Sequence, residues 1–371
     1  MPNLFEKSSI KSLELKNRAV RSATWEGAGD SKGHITDRVV ELYGNLADGG
    51  VGLIITGFQY VLPNGVGIAH QIGNYSDDSL AGLKRLAEAA RASGTKVMAQ
   101  LVHAGSKANP SLFPEEGDIW GPSAVPDPLT GNIPREMTQQ QITRLVEAYA
   151  AAASRAQKAG FDGIQLHGAH GYGINQFLSA ASNRRSDKYG GNIAGRYRFL
   201  GEVLESVRGV VGKDYPVFIK LSGNDFFAGG LVPEESIYVG QRLVENGIDC
   251  IEVSGGSKAS YDGMIPSRTN VHREGDEAYL ARLAGSFKEA LSVPIITVGG
   301  IRSPEVVAKV LAERVADYVA FCRPLIREPR LISRWQNGDL EKSKCISCNG
   351  CYETGLIGLG ISCKMEKNAK S

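Results

Sequence analysis

Short runs of β-branched and apolar residues alternate with longer stretches of helical periodicity, and the strand-like run recurs eight times along the chain. The runs fall at residues 17–23, 52–57, 96–101, 163–168, 217–222, 250–255, 294–300 and 318–323. They are nearly continuous in apolar character, as strands covered on both faces are. The clearest helical stretches cover 77–93, 138–158, 196–211, 233–246, 276–290, 304–312 and 329–335. Thr138 three residues before Gln141, and Ser303 before Pro304, are helix-start signals. Gly94, Gly160 and Gly247 stand where helices would stop. The pattern predicts an α/β fold, a closed (β/α)8 TIM barrel. A doubly wound open sheet is the alternative, and the lack of an early Gly-x-Gly-x-x-Gly turn counts against it.

Chemistry in such a barrel sits at the C-terminal ends of the strands. Two long inserts, 102–137 after the third strand and 168–195 after the fourth, are expected to carry function. The chain is expected to divide into a barrel at 1–335 and a small cysteine-rich tail at 336–371. A length of 371 residues suits one large barrel. With a formal charge of +2 and no block of like charges, neither nucleic acid nor an anionic membrane is an expected partner. No apolar run reaches the roughly 18 residues that span a bilayer. The opening Met1-Pro2-Asn3-Leu4-Phe5-Glu6-Lys7 lacks a signal-peptide layout, so a cytoplasmic location is expected.

The fourth strand delivers His167-Gly168-Ala169-His170-Gly171-Tyr172 to the barrel top. Two imidazoles and a phenol within six residues is a high density in a chain with six histidines. Such imidazoles can donate hydrogen bonds to a carbonyl or nitro oxygen as charge develops on it. Tyr172, protonated at neutral pH, can serve as general acid. A metal pair or two satisfied loop histidines are the competing readings. After the seventh strand, Val298-Gly299-Gly300-Ile301 offers backbone for a phosphate, and Phe321-Cys322-Arg323 after the eighth adds a cation. Lys220, in an apolar strand, is costly unless paired.

The run from His167 through Ser179, continued by Asn183-Arg184-Arg185-Ser186-Asp187-Lys188-Tyr189-Gly190-Gly191 and Arg196-Tyr197-Arg198-Phe199, resembles the Old Yellow Enzyme family. The resemblance covers about residues 1–335. It implies an FMN-binding barrel in which NAD(P)H reduces the flavin and an activated C=C bond reoxidises it. His167 and His170 would hold the substrate's electron-withdrawing group, and Tyr172 would protonate its α-carbon. Flavin contacts would come from Ser22, Ala23, Thr24, Gln100, His167, Lys220, Gly255, Gly299, Gly300, Arg302, Cys322 and Arg323. Lys220 would stabilise the anionic reduced ring. The family's His-Ala-Gly at His103 reads as loop-positioning, and Trp25, Tyr60 and Trp120 are candidate pocket walls or core. Gly173 stands where the family often has Leu, and Gly195 where many members have Asn.

Cys345, Cys348 and Cys351 form Cys-x2-Cys-x2-Cys, and Cys363 follows. Cytosolic clustering of this kind reads as metal binding before disulfides. Three close cysteines and one distant suggest an iron–sulfur layout, whereas structural zinc more often uses two separated pairs. Cys250 and Cys322, inside strands, read as small core residues. The 2,4-dienoyl-CoA reductase and trimethylamine dehydrogenase branch of the family has similar spacing, with one residue more in the second gap. That likeness implies a [4Fe–4S] cluster, with zinc the alternative. The expected function is an FMN ene-reductase acting on an α,β-unsaturated carbonyl or similar small molecule. One rival is an iron–sulfur flavoprotein fed by a partner protein. Another is a non-catalytic metal-binding scaffold, against which the intact His167, His170, Tyr172, Lys220 and Arg323 argue. A homo-oligomer is expected.

Overall fold

The computed structural model describes residues 3–112 and 117–367. The first two residues of the opening read for a signal, residues 113–116 of the first insert and the last four of the tail lie outside them. Eight parallel strands close on themselves. In chain order they are β1 (Ala19–Arg21), β2 (Leu53–Tyr60), β3 (Lys96–Val102), β4 (Gly163–Gly168), β5 (Val217–Ser222), β6 (Cys250–Ser254), β7 (Ile295–Val298) and β8 (Tyr318–Phe321). Each pairs with its sequence neighbours, and β8 pairs with β1. Closure rules out the open sheet. Helices follow the strands in turn: α1 (Asp37–Asp48), α2 (Leu80–Arg91), α3 (Gln139–Lys158), α4 (Ile193–Val211), α5 (Pro233–Glu245), α6 (Ala281–Ala290), α7 (Pro304–Ala312) and α8 (Leu331–Gln336). Among the described residues, no helix is long and apolar enough to cross a membrane.

The strands' period of two separates two cores. Ile54, Val97, Ile219, Ile251, Ile295 and Val319 face outward and join the helices in one cluster. Ile55, Met98, Phe218, Cys250, Ile296 and Tyr318 face inward and form another. A hairpin of Ser8–Ile10 and Leu13–Leu15 closes the barrel bottom, and its Ile10, Leu13 and Leu15 complete the inner cluster. Cys250 is thus part of the barrel floor. Above this apolar tier the inward positions turn polar, and that change sets the site.

Candidate active site

One step up each strand from the apolar tier stand Gln100, Gln165, Lys220 and Glu252, all buried. Gln100 Nε2 donates to Gln165 Oε1 (2.6 Å), and Gln165 Nε2 donates to Glu252 Oε2 (2.9 Å). Ser22 Oγ donates to Glu252 Oε1 (2.6 Å) and accepts from Lys220 Nζ (2.7 Å). Lys220 and Glu252 also form an ion pair at 3.1 Å, and they are register partners on β5 and β6. The pairing answers the cost of a lysine in an apolar strand. Gln100 Oε1 is left buried with no hydrogen-bond partner. Ala23 and Val298, both partly buried, pack on top of the inner apolar cluster near this level.

His167 ends β4 above the polar tier. Ala169 N–H donates to His167 Nδ1 (3.3 Å), which assigns the ring proton to Nε2. The His170 ring stands perpendicular to it, with centroids 5.2 Å apart, and its Nε2 meets Ser254 Oγ at 2.7 Å. His170 has φ +62° and Gly171 φ +73°, so two successive left-handed residues fold the loop back over the strand ends. Tyr172 closes the group, 4.8 Å from the His167 ring and 5.4 Å from Phe58. Burial holds both imidazoles well below the usual histidine range, and the nearby Lys220 and Lys107 add to the effect. Both rings are therefore neutral hydrogen-bonding groups at pH 7. Burial, with a smaller contribution from Asp127, pushes the Tyr172 phenol up to about 12. Lys107 Nζ donates to the His170 carbonyl (2.5 Å) and lies 5.3 Å from the Tyr172 ring centre.

Gly173 lies against the His103 carbonyl, where a Cβ would approach to 2.8 Å. A leucine would push the 103–105 loop away, so the departure from the family pattern has a packing cause. His103 is buried, accepts from Gly105 N–H at Nδ1 (3.1 Å) and stacks on Trp120. Tyr60 stacks on Tyr75, and Trp25 packs against Gly355 of the tail. Thr24 Oγ1 meets Cys322 Sγ at 2.8 Å. Gly255 lies beside Asn224, whose carbonyl accepts from Gly256 N–H.

Gly299 (φ +126°) and Gly300 (φ +72°) make the turn after β7 beneath the Tyr279 ring. The two arginines are tied to protein in part, and Arg302 Nε is left buried with no hydrogen-bond partner. Arg302 donates to the Val271 carbonyl and lies 3.8 Å from Glu277. Arg323 Nη1 donates to the carbonyls of Arg268 and Ser347 and to Asn349 Oδ1. Arg323 therefore ties the end of β8 to the cysteine loop.

That loop turns on two left-handed residues, Ser347 and Asn349. Cys345, Cys348, Cys351 and Cys363 all line one small cavity with Arg323 and Arg327. Among the described residues, no three His, Cys, Asp or Glu side chains converge as ligands of a single ion. Burial raises the Cys345 and Cys351 thiols, Cys351 to about 12. The tail then crosses the barrel rim: Gly360 N–H donates to the Gly27 carbonyl and Ile361 N–H to that of Glu26.

Comparison with known proteins places this barrel. The model of the NADH:flavin oxidoreductase / NADH oxidase family matches residues 3–342. The chain belongs to this family. This member is 39% identical to an NADH oxidase of Thermoanaerobacter brockii over 94% of the chain and 53% of that relative. It is 37% identical to an NADPH dehydrogenase of Clostridium acetobutylicum, over 89% of the chain and 93% of the relative. Among solved structures, a 2-naphthoyl-CoA reductase in complex with 2-naphthoyl-CoA matches with a TM-score of 0.90 at 30% identity, over 97% of the chain and 56% of that protein. The chain spans about half the length of the first relatives it matches.

The sequence reading left out Glu252, Lys107, Ser254 and Phe58. Glu252 had a signal: it is a carboxylate in the apolar run Cys250-Ile251-Glu252-Val253, and it is the register partner of Lys220 on the neighbouring strand. Lys107 and Phe58 come to Tyr172 only through the fold.

Proposed function

We propose that this family member is an FMN-dependent ene-reductase that takes electrons from NAD(P)H and reduces an activated C=C bond. The observation that carries the reading is the His167–His170–Tyr172 group above a buried polar tier. The fit of a flavin rests on Gln100 Oε1, a buried acceptor that needs an N–H donor such as the ring amide supplies. Lys220, Gln100, Ser22, Ala23 and Thr24 would hold the ring. The glycine turn at Gly299 and Gly300 would take the phosphate, joined by Arg302, whose buried Nε has no partner, and by Arg323. Bound FMN would supply hydride to the β-carbon. His167 Nε2–H and the His170 ring would grip the acceptor's oxygen and stabilise charge building there. Tyr172 would give its proton to the α-carbon. Tyr172→Phe tests this: acceptor reduction should slow while flavin reduction by NAD(P)H persists. A matching loss in both half-reactions would remove Tyr172 from the role.

The four-thiol cavity favours a further feature, a [4Fe–4S] cluster on Cys345, Cys348, Cys351 and Cys363, with structural zinc the alternative. A cluster would suit electron supply by a partner protein. An anaerobic absorption spectrum with iron, sulfide and zinc analysis separates these. Iron and sulfide near four each per chain mean a cluster, about one zinc means a structural tail, and neither metal rejects both.

A further inference from the structure

We propose that a cavity beside Tyr172 is a side pocket for the acceptor, and that Lys107 selects acceptors carrying a carboxylate. Its use in turnover rests on the proposed ene-reduction; its ligand preference does not. The cavity measures about 300 Å³ and is walled by loops that follow β3, β4, β5 and β6. That size lies at the lower end for small-molecule sites. Gly171 belongs both to its wall and to the catalytic loop, and Lys107, on the wall from the loop after β3, donates to that loop's His170 carbonyl. Lys107 Nζ, on the cavity wall, sits 5.3 Å from the Tyr172 ring centre and so links the cavity to the catalytic group.

Two donor groups on this wall have unused hydrogen-bonding capacity. The Lys107 ammonium has three protons and one hydrogen bond, to the His170 carbonyl. Among the described residues, no carboxylate stands within ion-pair distance of it. Lys107 is partly buried, and Asp127 and Asp225 act on its charge without pairing to it, so a ligand that pairs with it directly gains from the partly desolvated ammonium. Ser179 Oγ, on the same wall, is buried, with the Asp225 carboxyl as its neighbouring acceptor and no well-formed hydrogen bond to it.

The two acids on the wall are already taken. Asp127 accepts from Ser106 Oγ and from the Leu129 and Thr130 amides. Asp225 accepts from Ser222 Oγ, Asn175 Nδ2 and the Leu231 amide. Lys258, exposed on the β6 loop, adds a second cation near Lys107. The remaining demand is for a group that only accepts hydrogen bonds and carries negative charge, which a carboxylate meets.

The test uses flavin-loaded enzyme and two saturated, non-reducible ligands, cyclohexanone-3-carboxylate and its methyl ester, titrated by calorimetry. Wild type should bind the acid about 10-fold more tightly than the ester, the gain expected of one charge-assisted contact. Lys107→Met should bring that ratio near one, and Lys107→Arg should keep most of it, which also controls for folding. A wild-type ratio near one, or a ratio unchanged in Lys107→Met, overturns the proposal. Turnover of the matching enone pair is read separately. Binding preference for the acid with no reduction of either enone would leave the pocket standing and sink the ene-reductase reading. Equal loss of both turnovers in Lys107→Met, with the binding ratio intact, would make Lys107 a partner of Tyr172 instead.

Discussion

Tyr172 carries the sharpest expectation at the scale of single residues. Tyr172→Phe should slow acceptor-linked flavin reoxidation by about 10²–10⁴-fold, the range for losing a general acid, in stopped-flow traces. The pH dependence follows from the same environment. His167 and His170 gain a proton only when pH falls below their depressed pKa values, and Tyr172 loses one only as pH rises toward about 12. The oxidative half-reaction should therefore be flat between about pH 6 and 9; a limb near the ordinary histidine value of about 6.5 would refute neutral, buried imidazoles. Lys220→Met would strand the buried Glu252 carboxylate and should cost about 3–5 kcal/mol in urea unfolding, with partial recovery on adding Glu252→Gln. His167, Tyr172 and Lys220 were legible because each is out of place in an apolar strand or strand end. The partners Arg302 and Arg323 already hold were not legible, because a sequence does not show which carbonyls will claim a guanidinium.

Strand elements were legible because burial on both faces leaves them no polar positions to blur the run. Helix starts were legible where chemistry marks them. Thr138 Oγ1 accepts from Gln141 N–H and the Gln141 side chain accepts from Thr138 N–H, the reciprocal cap expected from the spacing. Thr138→Ala should lower stability by about 1 kcal/mol, while Thr138→Ser should hold it, in thermal unfolding. The helix α1 went unread. Its preceding Thr36 makes no side-chain cap, and Gly44 interrupts its middle. The stretch expected as 276–290 begins at Ala281 instead, because Ala278 adopts a left-handed φ of +49° that no helix carries. Strand β7 stops at Val298 since Gly299 and Gly300 turn away with positive φ.

Across the whole molecule, closure of the barrel was readable from eight repeats, while the path of the tail was not. No periodicity announces that residues 355–361 will lie on the loop after β1. Gly27, at φ +61°, leaves no room for a Cβ, which would stand 2.4 Å from Gly355 Cα. Gly27→Ala should therefore lift the tail, increasing proteolysis there, while the barrel's thermal transition changes less. Loss of the barrel transition instead would show tail and barrel to be one cooperative unit. The hairpin that stops the barrel bottom has a kinetic consequence. A vessel corked at one end has a single doorway, so anything reaching the polar tier enters and leaves past Tyr172 and His167. Under the proposed function, a nicotinamide donor and an unsaturated acceptor would take turns at that threshold. Their initial-rate plots should run parallel, and each should obstruct the other when in excess.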